Sequence, residues 1–246
     1  MLENKTFYDT ASGFYDQMIN YEDNLAKMKN AFEKLFPDKL SIADVGCGSG
    51  VDSIALALNG HTVLGFDPST KMIELAQDNA KKLNVDVAFN KHAVLNIPVK
   101  LNNKFDAVVS LGNTLANIEG NTIYSTIQRF YDLLKEGGKV FIHILNYQLI
   151  SEKKERIVSI KSMEDNYFVR FYDFINGDIN FNILKFSQNN PADHQLLTTR
   201  IYPYKKDLLI KVFNAVGFKD IKLMSNLSGE KFNVAASKDL FIQAIR

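Results

Sequence analysis

The chain has 246 residues, of which 46% are hydrophobic, and its formal net charge is +1. This length suffices for one large α/β core with a small inserted layer. A near-neutral chain without runs of like charge lacks the electrostatic signature of proteins that bind nucleic acids or anionic membranes, so we expect neither partner.

Cysteine and histidine usage narrows the chemistry further. Cys47 is the single cysteine, which excludes a disulfide framework, and the four histidines are scattered, so we predict no metal site. The amino terminus lacks the apolar core of a signal peptide, and no apolar run approaches the roughly 18 residues that a membrane span needs. We therefore expect a cytoplasmic protein.

Strand and helix patterns alternate through the first 150 residues. Residues 1–38 have a helical pattern, after which short apolar runs alternate with amphipathic helices. Near-continuous apolar strands between such helices are typical of a parallel sheet that is covered on both faces. The predicted strands are Ser41–Val45, His61–Phe66, Val85–Phe89, Phe105–Leu111 and Lys139–Leu145.

The pattern changes to a period of two residues over positions 151–204, and a helix and two final strands follow it. Asn176-Gly177 separates two alternating runs, which is the strongest short-range signal of a β-hairpin. We predict a doubly wound, Rossmann-like α/β core of seven strands over residues 1–150 and 204–246. An antiparallel β insert over residues 151–203 is expected to act as a lid on this core.

The hairpin turn also predicts a register, because a two-residue loop fixes which residues face each other. One face of the hairpin then carries apolar side chains and a single charge, that of Arg170. If this face covers a pocket, Arg170 is a candidate to bind an anionic group; otherwise it extends into solvent at the sheet edge. The predicted cross-strand pairs are Phe174–Ile179, Tyr172–Phe181 and Arg170–Ile183.

A glycine-rich segment, Asp44-Val45-Gly46-Cys47-Gly48-Ser49-Gly50, joins the first strand to a helix. Glycines at such a turn let the backbone approach a ligand closely, and Asp67, at the end of the next strand, suits a ribose diol. A dinucleotide site prefers glycine where this chain has Val51. The charge of Asp44 would repel a pyrophosphate, whereas it suits a cofactor that carries an ammonium and a sulfonium.

These residues resemble the class I S-adenosylmethionine-dependent methyltransferases, and they are most similar to the glycine N-methyltransferase-like branch. The resemblance covers roughly residues 42–145. It is carried by Gly50-Val51-Asp52-Ser53-Ile54, by Leu111-Gly112-Asn113-Thr114 and by Asn146-Tyr147. It implies S-adenosylmethionine as the cofactor, the seven-stranded methyltransferase sheet and a lid of antiparallel strands.

The resemblance also implies roles for individual residues. Asp44 would hold the cofactor's ammonium, Asp67 the ribose, and Leu111 would lie beside the sulfonium. Cys47 is interpreted as a small spacer rather than a nucleophile. The full predicted cofactor set is Asp44, Gly46, Cys47, Gly48, Gly50, Asp67, Pro68, Met72, Val94, Leu95 and Leu111.

Departures from the family pattern bear on the acceptor. Family members that methylate glycine have an arginine just before the Asn-Tyr pair, and this chain has Leu145 there. The segment Leu111-Gly112-Asn113-Thr114 also differs from the Asn/Asp-Pro-Pro-Tyr motif of many enzymes that methylate nucleobase or protein amide nitrogens. We therefore expect N- or O-methylation of a small molecule other than glycine.

Several polar and aromatic residues are candidates for the acceptor site, because ligands of open α/β sheets bind at the carboxyl edge. Asn113 and Tyr147 are the candidate catalytic residues, although in-line methyl transfer needs alignment more than a strong base. His143 is interpreted as a core histidine. A non-catalytic S-adenosylmethionine-binding protein and an NAD-dependent oxidoreductase remain as alternatives. The candidate acceptor residues are Tyr8, Tyr15, Asn113, Asn146, Tyr147 and Arg170.

Overall fold

The computed structural model describes residues 1–246 as seven α-helices and eleven strands in two sheets. The helices are α1 Asn4–Ile19, α2 Tyr21–Leu35, α3 Val51–Leu58, α4 Thr70–Lys82, α5 Ile123–Leu133, α6 Tyr147–Lys153 and α7 Lys206–Val216. The strands are β1 Ser41–Val45, β2 Thr62–Asp67, β3 Ala88–Lys91, β4 Phe105–Ser110, β5 Leu134–Leu145, β6 Ile157–Met163, β7 Asn166–Ile175, β8 Asp178–Ser187, β9 His194–Ile201, β10 Lys219–Met224 and β11 Asp239–Ile245.

The larger sheet has the strand order β10-β11-β5-β4-β1-β2-β3. Strands β1 to β5 are parallel, whereas β11 is antiparallel to both β5 and β10. Phe130 of α5 and Phe213 of α7 are fully buried in one core cluster, and Phe32 of α2 is fully buried in another. Buried clusters that draw on different helices are typical of a doubly wound sheet, so the fold-class prediction is confirmed.

Some predicted boundaries differ from the structure. The predicted third strand began at Val85, but β3 starts at Ala88, where pairing with Leu64 of β2 begins. The amide of Val85 instead donates to the carbonyl of Ala80 and closes the end of α4. The helical amino-terminal segment is two helices, because Asn20 adopts a left-handed conformation with φ of 56° between them.

The second sheet is antiparallel and has the order β6-β7-β8-β9. Its central hairpin has the predicted register, with Arg170 opposite Ile183 and Tyr172 opposite Phe181. Asn176 and Gly177 have φ values of 51° and 89°, as a two-residue turn with two left-handed positions requires. The local sequence signal therefore predicted this hairpin residue by residue.

Helix α1 packs against the antiparallel sheet on one side and against α4 of the core on the other. Its apolar side buries Phe7 and Phe14 in a cluster with Phe168 and Ile183 of the antiparallel sheet. On its polar side, the Asp9 carboxylate accepts hydrogen bonds from the Ser69 hydroxyl at 2.6 Å and from the Lys71 amide at 3.1 Å. These contacts fix the antiparallel sheet relative to the start of α4. No helix combines the length and the apolar character needed to cross a membrane.

Candidate cofactor and acceptor site

A cavity of about 850 Å³ opens at the carboxyl edge of the larger sheet. Its walls come from the loops that follow β1, β2, β3 and β4, from α1 and α2, and from the antiparallel sheet through Arg170. This volume lies within the usual range for sites that enclose a small organic ligand. The position agrees with the rule that open α/β sheets bind ligands beyond the carboxyl ends of their strands.

The glycine loop forms one wall of this cavity. Gly46, Gly48 and Gly50 have φ values of 85°, 53° and 87°, a backbone region that side chains other than glycine rarely adopt. A Cβ atom on Gly46 would lie 2.3 Å from Cγ2 of Thr114, so the loop and the end of β4 approach too closely for any side chain. A Cβ atom on Gly48 would meet nothing within 4 Å, which leaves the backbone open to a ligand.

Three carboxyl groups lie around the loop, those of Asp44, Asp52 and Asp67. None of them forms an ion pair with a basic residue of the chain. Asp44 is 1% exposed, and its carboxylate accepts a hydrogen bond from the Ser53 hydroxyl at 2.6 Å. Burial, together with the nearby charge of Asp52, raises the pKa of Asp44. Asp67 accepts hydrogen bonds from the Gly48 amide at 3.1 Å and the Ser69 amide at 2.8 Å. Burial raises the pKa of Asp67 to about 6.

These features fit S-adenosylmethionine. Buried carboxyl groups without a protein cation are complementary to a ligand that brings an ammonium and a sulfonium. The hydroxyl of Ser49, in the cavity wall, is buried without a protein hydrogen-bond partner, and so is that of Thr126 at the opposite end. Buried polar atoms normally have partners, so both hydroxyls suit a polar ligand. Val94 and Leu95 form an apolar wall near Thr126 that suits a nucleobase.

The structure brings most of the predicted site residues together around one cavity. Asp44 and Gly50 do not line the cavity: Asp44 lies behind the glycine loop, and Gly50 is turned toward Ala76 and Phe89. The lining residues from the predicted sets are Gly46, Cys47, Gly48, Asp67, Pro68, Met72, Val94, Leu95, Leu111, Tyr8, Tyr15 and Arg170.

The two candidate catalytic residues do not line the cavity. The Asn113 side chain donates to the Tyr147 hydroxyl at 2.7 Å and accepts from the Leu145 amide at 3.0 Å. Both ends of its amide are therefore engaged in joining the carboxyl end of β4 to that of β5. Tyr147 is 1% exposed and belongs to the core. The structure supports a positioning role for this pair rather than a catalytic one.

Asn146 is also structural. Its side chain accepts from the Leu149 amide and thereby caps α6. Its amide nitrogen donates to the carbonyls of Val234 and Ser237, both at 2.8 Å, and it is 4% exposed. Burial and complete hydrogen bonding explain why this candidate does not reach the cavity.

Some residues of the cavity wall are not among the site residues predicted from the sequence. His143 was interpreted as a core histidine, yet it lines the cavity together with Asp52 and Asp239. Lys27 of α2 lines the same side. The sequence contains one signal for His143: because side chains alternate along a strand, it shares a face with residues nearer the carboxyl edge. The spacing of residues along the chain does not reveal that β11 is the strand beside it.

Comparisons with known proteins identify the class to which the chain belongs. The family described as "Methyltransferase domain" matches residues 42–138. A glycine/sarcosine N-methyltransferase of Aphanothece halophytica is 24% identical over 213 residues, which are 84% of this chain and 77% of that protein. A glycine N-methyltransferase of Rattus norvegicus is 30% identical over 121 residues, which are 44% of this chain and 41% of that protein.

A solved S-adenosylmethionine-dependent methyltransferase from Clostridium acetobutylicum ATCC 824 has a TM-score of 0.76 at 16% identity, covering 97% of this chain and 98% of that one. The fold and these similarities together define an α/β enzyme that uses S-adenosylmethionine. The chain is a class I S-adenosylmethionine-dependent methyltransferase. The NAD-dependent and non-catalytic alternatives are therefore set aside.

The geometry of Asp67 predicts its effect on cofactor affinity. We expect Asp67→Ala to weaken binding of S-adenosylhomocysteine about tenfold or more, because hydrogen bonds to a charged acceptor contribute about 1.5–3 kcal/mol. Calorimetric titration measures this effect. Asp86→Ala, at an exposed position before β3, is the matched control and should bind like the parent chain. Equal affinity in both variants would contradict the ribose assignment.

The raised pKa of Asp67 predicts a pH dependence. Because the carboxylate is the better acceptor for ribose hydroxyls, affinity for S-adenosylhomocysteine should rise as the pH increases through about 6. In Asp67→Asn the side chain cannot ionise, so the rise should be shallower. The affinities are measured at a series of pH values for both proteins, and parallel curves would exclude Asp67 as the titrating group.

Proposed function

We propose that this enzyme methylates a small organic acceptor that binds in the same cavity, beneath the antiparallel sheet. The observation that carries the proposal is Arg170, the only arginine in the cavity wall. Its Nε donates to the Ser159 hydroxyl at 2.7 Å, and its guanidinium forms no ion pair with any carboxylate of the chain. This position argues against an arginine that only extends into solvent.

The surroundings of Arg170 support an acceptor with an anionic group. Tyr8 and Tyr15 line the cavity, and the charge of Arg170 acts on both hydroxyls. Burial raises the pKa of Tyr8 to about 12 and that of Tyr15 further, so both phenols stay protonated at neutral pH. The Tyr8 hydroxyl donates to Oδ1 of Asn117 at 3.5 Å, which leaves Tyr15 as the free hydroxyl donor near the guanidinium. A guanidinium with a neighbouring hydroxyl donor is suited to a carboxylate or a phosphate.

This arrangement gives the core and the insert separate roles. We propose that residues 1–150 and 204–246 bind the cofactor and that residues 151–203 form a lid. The cofactor supplies a methyl group bound to a positively charged sulfur, ready for in-line displacement. The chain itself orients the acceptor and excludes water, which are the main requirements of such a reaction. The apolar hairpin face and α1 suit the exclusion of water, because they bury each other beside the cavity.

Similar proteins also support a small acceptor. The relatives include a glycine/sarcosine N-methyltransferase and a ubiquinone biosynthesis O-methyltransferase, and one structural neighbour is an amino pentose methyltransferase. The acceptor class is tested by methyl transfer from labelled S-adenosylmethionine to separate metabolite, protein and RNA fractions. Label should appear in the metabolite fraction. Label confined to protein or RNA would refute a small-molecule acceptor.

Removal of the Arg170 charge should affect the acceptor and leave the cofactor unaffected. For an acceptor that the parent enzyme methylates, Arg170→Ala should raise KM about tenfold or more, because a charge-assisted hydrogen bond is lost. Affinity for S-adenosylhomocysteine should stay within about threefold. The control is Arg200→Ala on β9, whose guanidinium pairs with Asp178 at the surface. An unchanged KM would remove Arg170 from the acceptor site.

Glycine should be a poor acceptor. The side chain of Leu145 packs against the main core cluster and carries no charge. Its backbone amide donates a hydrogen bond to Asn113. An apolar side chain cannot pair with the carboxylate of glycine, so little saturable turnover is expected at physiological glycine concentrations. Steady-state kinetics with glycine, set beside the best acceptor of the metabolite fraction, measure this. Efficient glycine methylation would show that another residue binds the carboxylate.

A further inference from the structure

A histidine–carboxylate pair lines the side of the cavity formed by α2, β5 and β11. Nε2 of His143 lies 2.9 Å from Oδ1 of Asp239, and the His143 side chain is 15% exposed. The imidazole also stacks on Phe241, with ring centroids 4.5 Å apart and an angle of 21° between the ring planes. One hydrogen bond and one stacking contact therefore fix both the position and the rotation of the ring.

The pair lies close to the expected site of methyl transfer. In the sheet order β11-β5-β4-β1, His143 is on β5 and the glycine loop follows β1. Two strand spacings separate them, or about 10 Å. Ser110 pairs with Ile142, so Leu111, predicted to lie beside the sulfonium, follows at the level of His143. Both side chains line the cavity.

Charged groups from three elements line the cavity around the imidazole of His143. Asp239 comes from β11, Asp52 from the first turn of α3, and Lys27 from α2; all three line the cavity. Asp52 follows the glycine loop directly, and the charge of His143 acts on its carboxyl group. The imidazole therefore borders two carboxyl groups and one ammonium in the cavity wall.

The hydrogen-bond pattern leaves one nitrogen available. A carboxylate at Nε2 stabilises the tautomer that carries its proton there, so Nδ1 keeps a lone pair. Nε2 is the one ring nitrogen of His143 with a hydrogen bond in the structure. His143 also borders the cavity, so a bound acceptor can approach the ring. General-base catalysis likewise uses an imidazole whose orientation is fixed by a hydrogen bond to a third group.

We propose that His143, positioned by Asp239, is the base that accepts the proton of the acceptor during methyl transfer. This inference rests on the proposed small-molecule function. An ammonium N–H bond or a phenol O–H bond of the acceptor breaks, and its proton moves to Nδ1 of His143. The electron pair left on nitrogen or oxygen forms the bond to the methyl carbon, while the carbon–sulfur pair leaves with the sulfur. The imidazolium then returns its proton to solvent.

Kinetics with an acceptor identified from a panel of amines and phenols test the catalytic role. H143Q should lower kcat about 10²- to 10⁴-fold, the range of general-base catalysis, with KM changed much less. D239N keeps the shape of the side chain and should lower kcat by a smaller factor. H194Q, at an exposed position of β9, is the control and should keep full turnover. A kcat of H143Q within about threefold of the parent would overturn the proposal.

Two measurements do not depend on turnover. The chain has four histidines, so ¹⁵N NMR of the imidazoles can assign the tautomer of each one. His143 should carry its proton on Nε2 in the parent chain, and D239N should weaken that preference. Affinity of H143Q and D239N for S-adenosylhomocysteine should stay within about threefold of the parent. A proton on Nδ1, or a cofactor affinity that falls with kcat, would overturn the assignment.

The outcomes separate this inference from the proposed function. If the parent enzyme methylates no small molecule, the proposed function fails and the base loses its acceptor, so both are overturned. If the parent methylates a panel acceptor and H143Q does so equally well, only the base assignment fails. Thermal unfolding checks the variants, and D239N carries the test if H143Q does not fold.

Discussion

The Asp67 carboxylate joins the two loops from which the cavity is built. One oxygen accepts from the Gly48 amide of the glycine loop, and the other accepts from the amide of Ser69, which caps α4. The Ser69 hydroxyl in turn donates to Asp9 of α1. A single buried carboxyl group thus connects the glycine loop, the start of α4 and the helix that carries the antiparallel sheet. The cofactor cradle and the proposed acceptor site share this connection.

Buried carboxyl groups around the glycine loop destabilise the protein when no ligand is bound. Asp44, Asp52 and Asp67 lie near one another and none of them forms an ion pair, and burial raises the pKa of each. Because the folded-state pKa of Asp67 is near 6, the folded chain retains a proton that the unfolded chain has lost by that pH. The contribution of this group to stability therefore decreases as the pH rises from about 4 to 6. A cationic ligand offsets this destabilisation by binding to the folded state alone.

Helix α1 joins the antiparallel sheet to the core because its two sides meet different partners. Phe7 and Phe14 pack on the antiparallel sheet, whereas Asp9 and Asp16 bond to the ends of α4, with Asp16 accepting from Asn79 at 2.8 Å. The polar contacts on the core side exchange more readily with water than the apolar contacts on the lid side, so α1 and the antiparallel sheet are suited to move together.

Features that depend on neighbouring residues were predicted from the sequence alone. The glycine loop, the spacing to Asp67 and the hairpin register each arise within one strand–turn–helix or strand–turn–strand unit, where chain geometry leaves few alternatives. Only the tertiary structure decided how the polar side chains at the sheet edge are used. Asn113 is occupied by Leu145 and Tyr147, and His143 meets Asp239 across 96 residues of chain. Such pairs depend on which strands become neighbours and in what register, and residue spacing along the chain carries no record of either.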